Sequence, residues 1–128
     1  MNLNYHKAAI SFADCGFILV ALPENWQGAN CLALHKIDSR ILKVQLQNRM
    51  VIARKYMGKD VYMCFPVNSV WYFIHHDELL RIVEDTAPNT FKSKSWVENG
   101  LYSWPKTPEA IRNRLSDNAL GPCANHSY

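Results

Sequence analysis

A chain of 128 residues, 48% hydrophobic and 20% charged, has the size and apolar content of one globular domain built on a single core. No apolar run approaches the length of a membrane span, and the N-terminal stretch lacks the charged-then-apolar order of a secretory signal, so a cytoplasmic protein with no membrane partner is expected. The formal charge of +3 is unevenly spread: residues 36–59 carry seven basic side chains against Asp38 alone, a net of +6 that leaves −3 on the remainder.

In chain order, Asn2 or Asn4 is placed to cap a first helix whose Tyr5, Ala8, Ala9, Phe12 and Ala13 share one stripe, and Gly16 ends it. Residues 17–22 are a continuous apolar run closed by Pro23, which predicts a buried strand. A loop over 24–28 leads into a second strand over 29–36, and Asp38-Ser39 makes a tight turn into a third, antiparallel to it. On that third strand, residues 40–47, Leu42, Val44 and Leu46 alternate with Lys43, Gln45 and Gln47, which sends the apolar set to the core and the polar set to the other face.

Residues 48–60 are too polar and too short for a long helix and predict an extra strand with a turn of helix ending at Gly58. Two strands over 61–65 and 70–75 form a hairpin rich in Tyr62, Trp71, Tyr72 and Phe73, and Asp77 is placed to cap a helix through Leu79, Leu80, Ile82 and Val83. The polar stretch 87–95 predicts a linker. The C-terminal part of the domain, 89–118, is then an aromatic cap: Trp96, Tyr102 and Trp104 cover the end of the sheet, beside a short helix capped by Thr107, started by Pro108 and docked by Ile111 and Leu115. From Ser116 onward little is available to pack, so the domain is expected over 1–118 with a loose tail over 119–128. The whole predicts an α/β fold of the α+β kind, a mixed central sheet of about five strands flanked by helices.

Several chemistries lose support at this level. Cys15, Cys31, Cys64 and Cys123 are widely spaced with no CxxC pair, which argues for free thiols rather than a zinc ribbon or a redox pair. His75 and His76 are adjacent and so point to opposite sides of a strand, which argues against a shared metal with Asp77 and Glu78. Cys31 and His35 share a strand face but stand about 13 Å apart along it, too far for proton transfer. Glycine-rich nucleotide motifs are absent. The basic stretch, by contrast, suits an anionic partner: Lys43, Arg49, Arg54, Lys55 and Lys59 are the candidate phosphate contacts, with Tyr56 as a stacking surface.

The element order, the polar third strand and the runs GANCLALHKIDSRILKVQLQNRMVIARKYMGKDVYMCFP and VWYFIHHDELL, followed by SW and YSWP, carry a resemblance. Over roughly 2–115 the chain resembles the PD-(D/E)XK nuclease superfamily, with its restriction-endonuclease-like fold, and within it a family of small bacterial proteins. The resemblance implies a divalent-metal site made by an aspartate at the start of the second strand and a Glu/Gln-x-Lys on the third, positions that align with Asn30, Gln45 and Gln47. An amide offers Mg2+ only a neutral oxygen, and Gln47 cannot stabilise a phosphate as a lysine would. The standard site is therefore expected to be silent, with no metal or cofactor. A rearranged site would draw on Lys43 with Glu24 or Asp38 and would need Mg2+. Three functions stay open: a catalytically silent protein that binds DNA or another nucleic acid, an active metal-dependent nuclease with a rearranged site, and a protein-interaction module such as a homodimer.

Overall fold

In the computed structural model, which describes residues 3–121, helices close on the two faces of one mixed sheet. Helix α1 (Leu3–Asp14) buries Ala8 and Phe12, one turn apart on a single stripe, and Gly16 ends it with a left-handed φ of 86°. Strands β1 (Phe17–Trp26), β2 (Ala29–His35) and β3 (Ile41–Leu46) follow as an antiparallel meander. The chain then leaves the sheet through β4 (Val51–Ala53) and a 3-10 turn, Arg54–Tyr56, and returns as β5 (Val61–Val67), parallel to β3. A tight turn at Asn68-Ser69 leads to β6 (Val70–His75), antiparallel to β5, which completes the order β1-β2-β3-β5-β6. Helix α2 (His76–Thr86), α3 (Lys94–Asn99), β7 (Leu101–Ser103) and α4 (Glu109–Arg114) finish the fold, and β7 pairs antiparallel with β4 in a small second sheet.

Alternation along the strands divides the core into two layers. Phe17, Leu19, Cys31, Ala33, Val44 and Phe73 pack under α1, with Phe12 edge-on to Phe73 at 4.9 Å between ring centroids. On the opposite face Val61, Met63, Phe65 and Ile74 pack under α2 and the small sheet, together with Trp96, Trp104, Ile111 and Leu115. The expected mixed sheet of five strands with interior β3 is present, and Val44 is fully buried while Leu42 and Leu46 are half-buried.

Several expected local features differ. The apolar run 17–22 is not a buried strand: β1 is an edge strand, and Ile18 and Val20 face solvent while Phe17 and Leu19 enter the core. Pro23 does not close it, because an edge strand need not donate on its outer side, and β1 runs on to Trp26 past an irregularity in the register. The loop over 24–28 shrinks to a two-residue hairpin turn at Gln27-Gly28. Asn4 lies inside α1 and bonds Asn48, while Asn2 lies outside the described residues.

Helix α2 is capped by His75, whose Nδ1 accepts the Asp77 N–H at 3.2 Å, because Asp77 already sits in the first helical turn. The stretch 87–95 is not a linker: Ser93 caps α3 by accepting the Trp96 N–H at 3.2 Å, Thr90 is buried, and Phe91 stands edge-on to Trp96. Thr107 is buried without a capping bond, and Pro108 takes the cap position of α4. Residues 119–121 are not loose, since Ala119 bridges Tyr72 and the Leu120 N–H donates to the Trp71 carbonyl at 2.7 Å. The rest of the expected tail, 122–128 with Cys123, lies outside the described residues.

The ordered C-terminal segment is thus part of the main core. Ile111→Ala is expected to cost about 2–5 kcal/mol in urea unfolding, against less than about 0.5 kcal/mol for Ile37→Ala at a position 92% exposed. Equal effects at the two positions would contradict the packing.

Candidate functional site

A cleft of about 560 Å³ opens where the β1–β2 turn meets the crossover between β3 and β5, and Asn25, Gln27, Lys43, Gln45, Lys55 and Lys59 line it. Its near wall follows from turn chemistry. Gln27 and Gly28 have φ of 50° and 85°, the paired left-handed conformation of a two-residue hairpin, in which the second residue favours glycine. Gly28 abuts the Tyr56 ring, and its carbonyl accepts the Gln45 side-chain N–H at 2.8 Å. Lys43 ties the two walls together by donating to the Lys59 carbonyl at 3.2 Å and the Gln27 side-chain oxygen at 3.4 Å.

The far wall is held from beneath by the first two residues of α2. His76 is fully buried, and its Nε2 accepts the Ala53 N–H at 3.1 Å. That acceptor role fixes the tautomer: the neutral ring carries its proton on Nδ1, which faces the Asp77 carboxylate at 3.1 Å. The other oxygen of Asp77 accepts the Gly58 N–H at 3.0 Å. One His-Asp pair therefore clamps both ends of the segment 53–58, which carries Lys55 and Tyr56. Burial lowers the pKa of His76, partly offset by Asp77. For Asp77 burial works upward, but the bonds from His76 and the Gly58 N–H outweigh it and hold the carboxyl below its usual range.

The structure divides the residues singled out in the sequence. Lys43 from β3 meets Lys55 and Lys59 from the crossover at the cleft, and Gln45, 4% exposed, forms its base. Tyr56 is 6% exposed, so it is a floor beneath Gly28 and an edge-on neighbour of His76 rather than a stacking surface. Arg49 opens onto another groove, beside Pro66 and Trp104. Arg54 points away as well: it donates to the Trp96 carbonyl at 2.7 Å and lies over the Trp96 ring, 5.3 Å from its centroid.

The three motif positions do not form one site: Gln45 and Gln47 bond each other, while Asn30 is tied to the Leu46 backbone and lines a separate groove beside Asn4 and Tyr5. Asn30 accepts the Leu46 N–H at 2.7 Å and donates to the Leu46 carbonyl at 3.0 Å, and Gln47 donates to the Gln45 side-chain oxygen at 3.1 Å. Glu24 is exposed on β1 and does not line the cleft. Asp38 sits at the opposite end of β3, where it accepts both the backbone N–H and the guanidinium of Arg40 at 2.9 Å. Neither carboxylate meets Gln45, and no group of three His, Cys, Asp or Glu side chains suited to a metal occurs among the described residues. The thiols of Cys31 and Cys64 are buried; burial pushes Cys31 up to about 11 and Cys64 well above its ordinary value, so both are poor nucleophiles.

Two features that shape the cleft escaped the sequence. The Gln27-Gly28 turn lacks the Asn-Gly or Asp-Gly signature, although the glycine itself was a usable signal. The clamp was hidden because the partners of His76 and Asp77 are backbone groups 23 and 19 residues away. Comparison with protein-family models, curated proteins and solved structures finds no match to this chain.

The clamp generates a pH dependence. An unfolded imidazole titrates near 6.5 and that of folded His76 lower, so between those values the unfolded chain holds a proton that the folded chain lacks. The contribution is complete above the unfolded value and is lost as pH falls through this window. Urea unfolding midpoints should decline from about pH 7.5 to about pH 5.5, and His76→Gln should give a lower but flatter profile. A variant profile as steep as the wild type's would contradict the clamp.

Proposed function

We propose that the protein binds nucleic acid through this cleft, as a catalytically silent member of the nuclease superfamily that its sequence resembles. The observation that carries the reading is the convergence of Lys43, Lys55 and Lys59 on one bounded cleft whose remaining polar lining, Asn25, Gln27 and Gln45, is uncharged. Three ammonium groups raise the local potential for phosphate, and no carboxylate lines the cleft to oppose them. Lysine also suits contacts that must not depend on sequence, since its ammonium acts as a point charge rather than a planar fork.

The absence of hydrolysis in this reading comes from the donor set. Mg2+ prefers charged oxygen ligands in strict octahedral geometry, whereas Asn30, Gln45 and Gln47 offer amides already committed to Leu46, Gly28 and one another. These residues do not fit the metal that the superfamily would use, and the rearranged alternative lacks a carboxylate at the cleft. Placement in the cytoplasm belongs to the same reading, in a reducing compartment where Cys31 and Cys64 remain thiols. No described helix is long and apolar enough to cross a membrane.

Fluorescence anisotropy with a labelled oligonucleotide over a salt series tests the proposal. Affinity should fall steeply with salt, and Lys55→Ala or Lys59→Ala should each reduce the log-log slope by about one unit without altering sequence preference. Arg54→Ala should leave the slope unchanged, because that guanidinium is engaged by Trp96. Failure of the folded protein to bind at about 50 mM salt would reject the reading.

A further inference from the structure

The sheet face that carries Lys43 and Gln45 is covered over half its width. Above β5 and β6 it lies under α2 and the small sheet, where Val61, Met63 and Ile74 are buried. Above β1, β2 and the start of β3 it is open. There the register aligns Ile18 with Leu34 and Ile41 in one row and Val20 with Leu32 and Lys43 in the next. Ile18 is 51% exposed, Val20 38% and Ile41 63%, while Leu32 and Leu34 are half-buried. The apolar rows therefore run into the cleft on the same face, and Lys43 belongs to both.

Rows two residues apart lie about 7 Å from one another along a strand, and neighbouring strands about 4.8 Å apart, which is the scale of one nucleotide rather than of a duplex. A duplex keeps its base faces inside the stack and presents phosphate and sugar, which would leave Ile18 and Ile41 facing water or charge. An unpaired strand carries flat, weakly polar base faces directly beside its phosphates, and so matches an apolar strip bordered by ammonium groups. A second copy of this chain fits less well, because a two-fold contact over these rows would bring each Lys43 into a surface shared with its mate.

We propose that the ligand is a single-stranded nucleic acid, its phosphates among Lys43, Lys55 and Lys59 and its unpaired bases laid over Ile18, Val20 and Ile41. The proposal rests on the reading of the cleft as a phosphate site. The apolar rows supply affinity that salt does not screen, and the three lysines supply the part that it does.

Anisotropy titrations with a short labelled single strand and with its duplex, on the wild type and on Ile18→Ser combined with Ile41→Ser, separate the two claims. Both positions are solvent-exposed, and an unchanged urea midpoint verifies that the variant folds. The single strand should bind about tenfold tighter than the duplex, and the double variant should lose most of that preference with its salt slope unchanged. Duplex binding as tight as single-strand binding, or a variant that keeps the preference, would overturn this inference and leave the phosphate site standing. Binding of neither would overturn both. A wild-type dimer in light scattering that dissociates in the double variant would also overturn it, by assigning the face to a second copy.

Discussion

The cleft depends on a constraint set at the start of α2. His76 and Asp77 each accept a backbone N–H from the crossover, at Ala53 and Gly58, and they bond each other. A crossover between parallel strands must leave the sheet and return, and its backbone groups need partners wherever they pass under packed atoms. The Ala53 N–H is buried, and leaving it unpaired costs about 1–3 kcal/mol, while the bond from exposed Gly58 to Asp77 tethers the other end of the segment. Lys55 lies between the clamped ends and Lys59 just beyond the second. The same burial that keeps His76 neutral keeps the device intact at neutral pH, since a protonated ring could no longer accept from Ala53.

The amide network on β3 plays a complementary part. Gln45 is nearly buried, and a carboxylate there would need a cation to offset its desolvation. An amide can instead donate to the Gly28 carbonyl and accept from Gln47, which closes the floor without charge. Potential in the cleft is then set by lysine alone. In the proposed reading, neutral residues at these positions leave the three lysines unopposed by any carboxylate lining the cleft. The open half of the sheet is a consequence of the same topology. The crossover and α2 cover β5, β6 and the Gln45 end of β3, whereas β1, β2 and the start of β3 have α1 on one face and solvent on the other.

Much of the fold was legible because its signals were local. Alternation over 42–47, the short strand and turn ending at Gly58 and the aromatic hairpin all rest on residues close in sequence, and each appears near its expected place, whereas the tight turn expected at Asp38-Ser39 is a wider loop closed by the His35 N–H on the Arg40 carbonyl. What was misread depends on neighbours that local pattern does not reveal. An apolar run such as 17–22 reads as buried whether its strand is central or at an edge, and here the edge leaves Ile18 and Val20 in solvent. The polar stretch 87–95 reads as a linker until Trp96 and Phe91 find the core beside β4. The basic side chains divide between surfaces for a related reason. Charge is visible in sequence, but direction is not, and Arg49 and Arg54 belong to other surfaces than Lys43, Lys55 and Lys59.

The central claim, that these three lysines and the adjoining apolar rows form one nucleic-acid surface, is tested most directly by backbone amide NMR during titration with a short unlabelled single strand. The account predicts concentration-dependent shifts confined to the Gln27-Gly28 turn, Lys43, Gln45, residues 55–59 and the rows through Ile18, Leu34 and Ile41. Shifts centred instead on Arg49 and Trp104 or on Arg54 and Gly100, or a spectrum unmoved by the ligand, would contradict it.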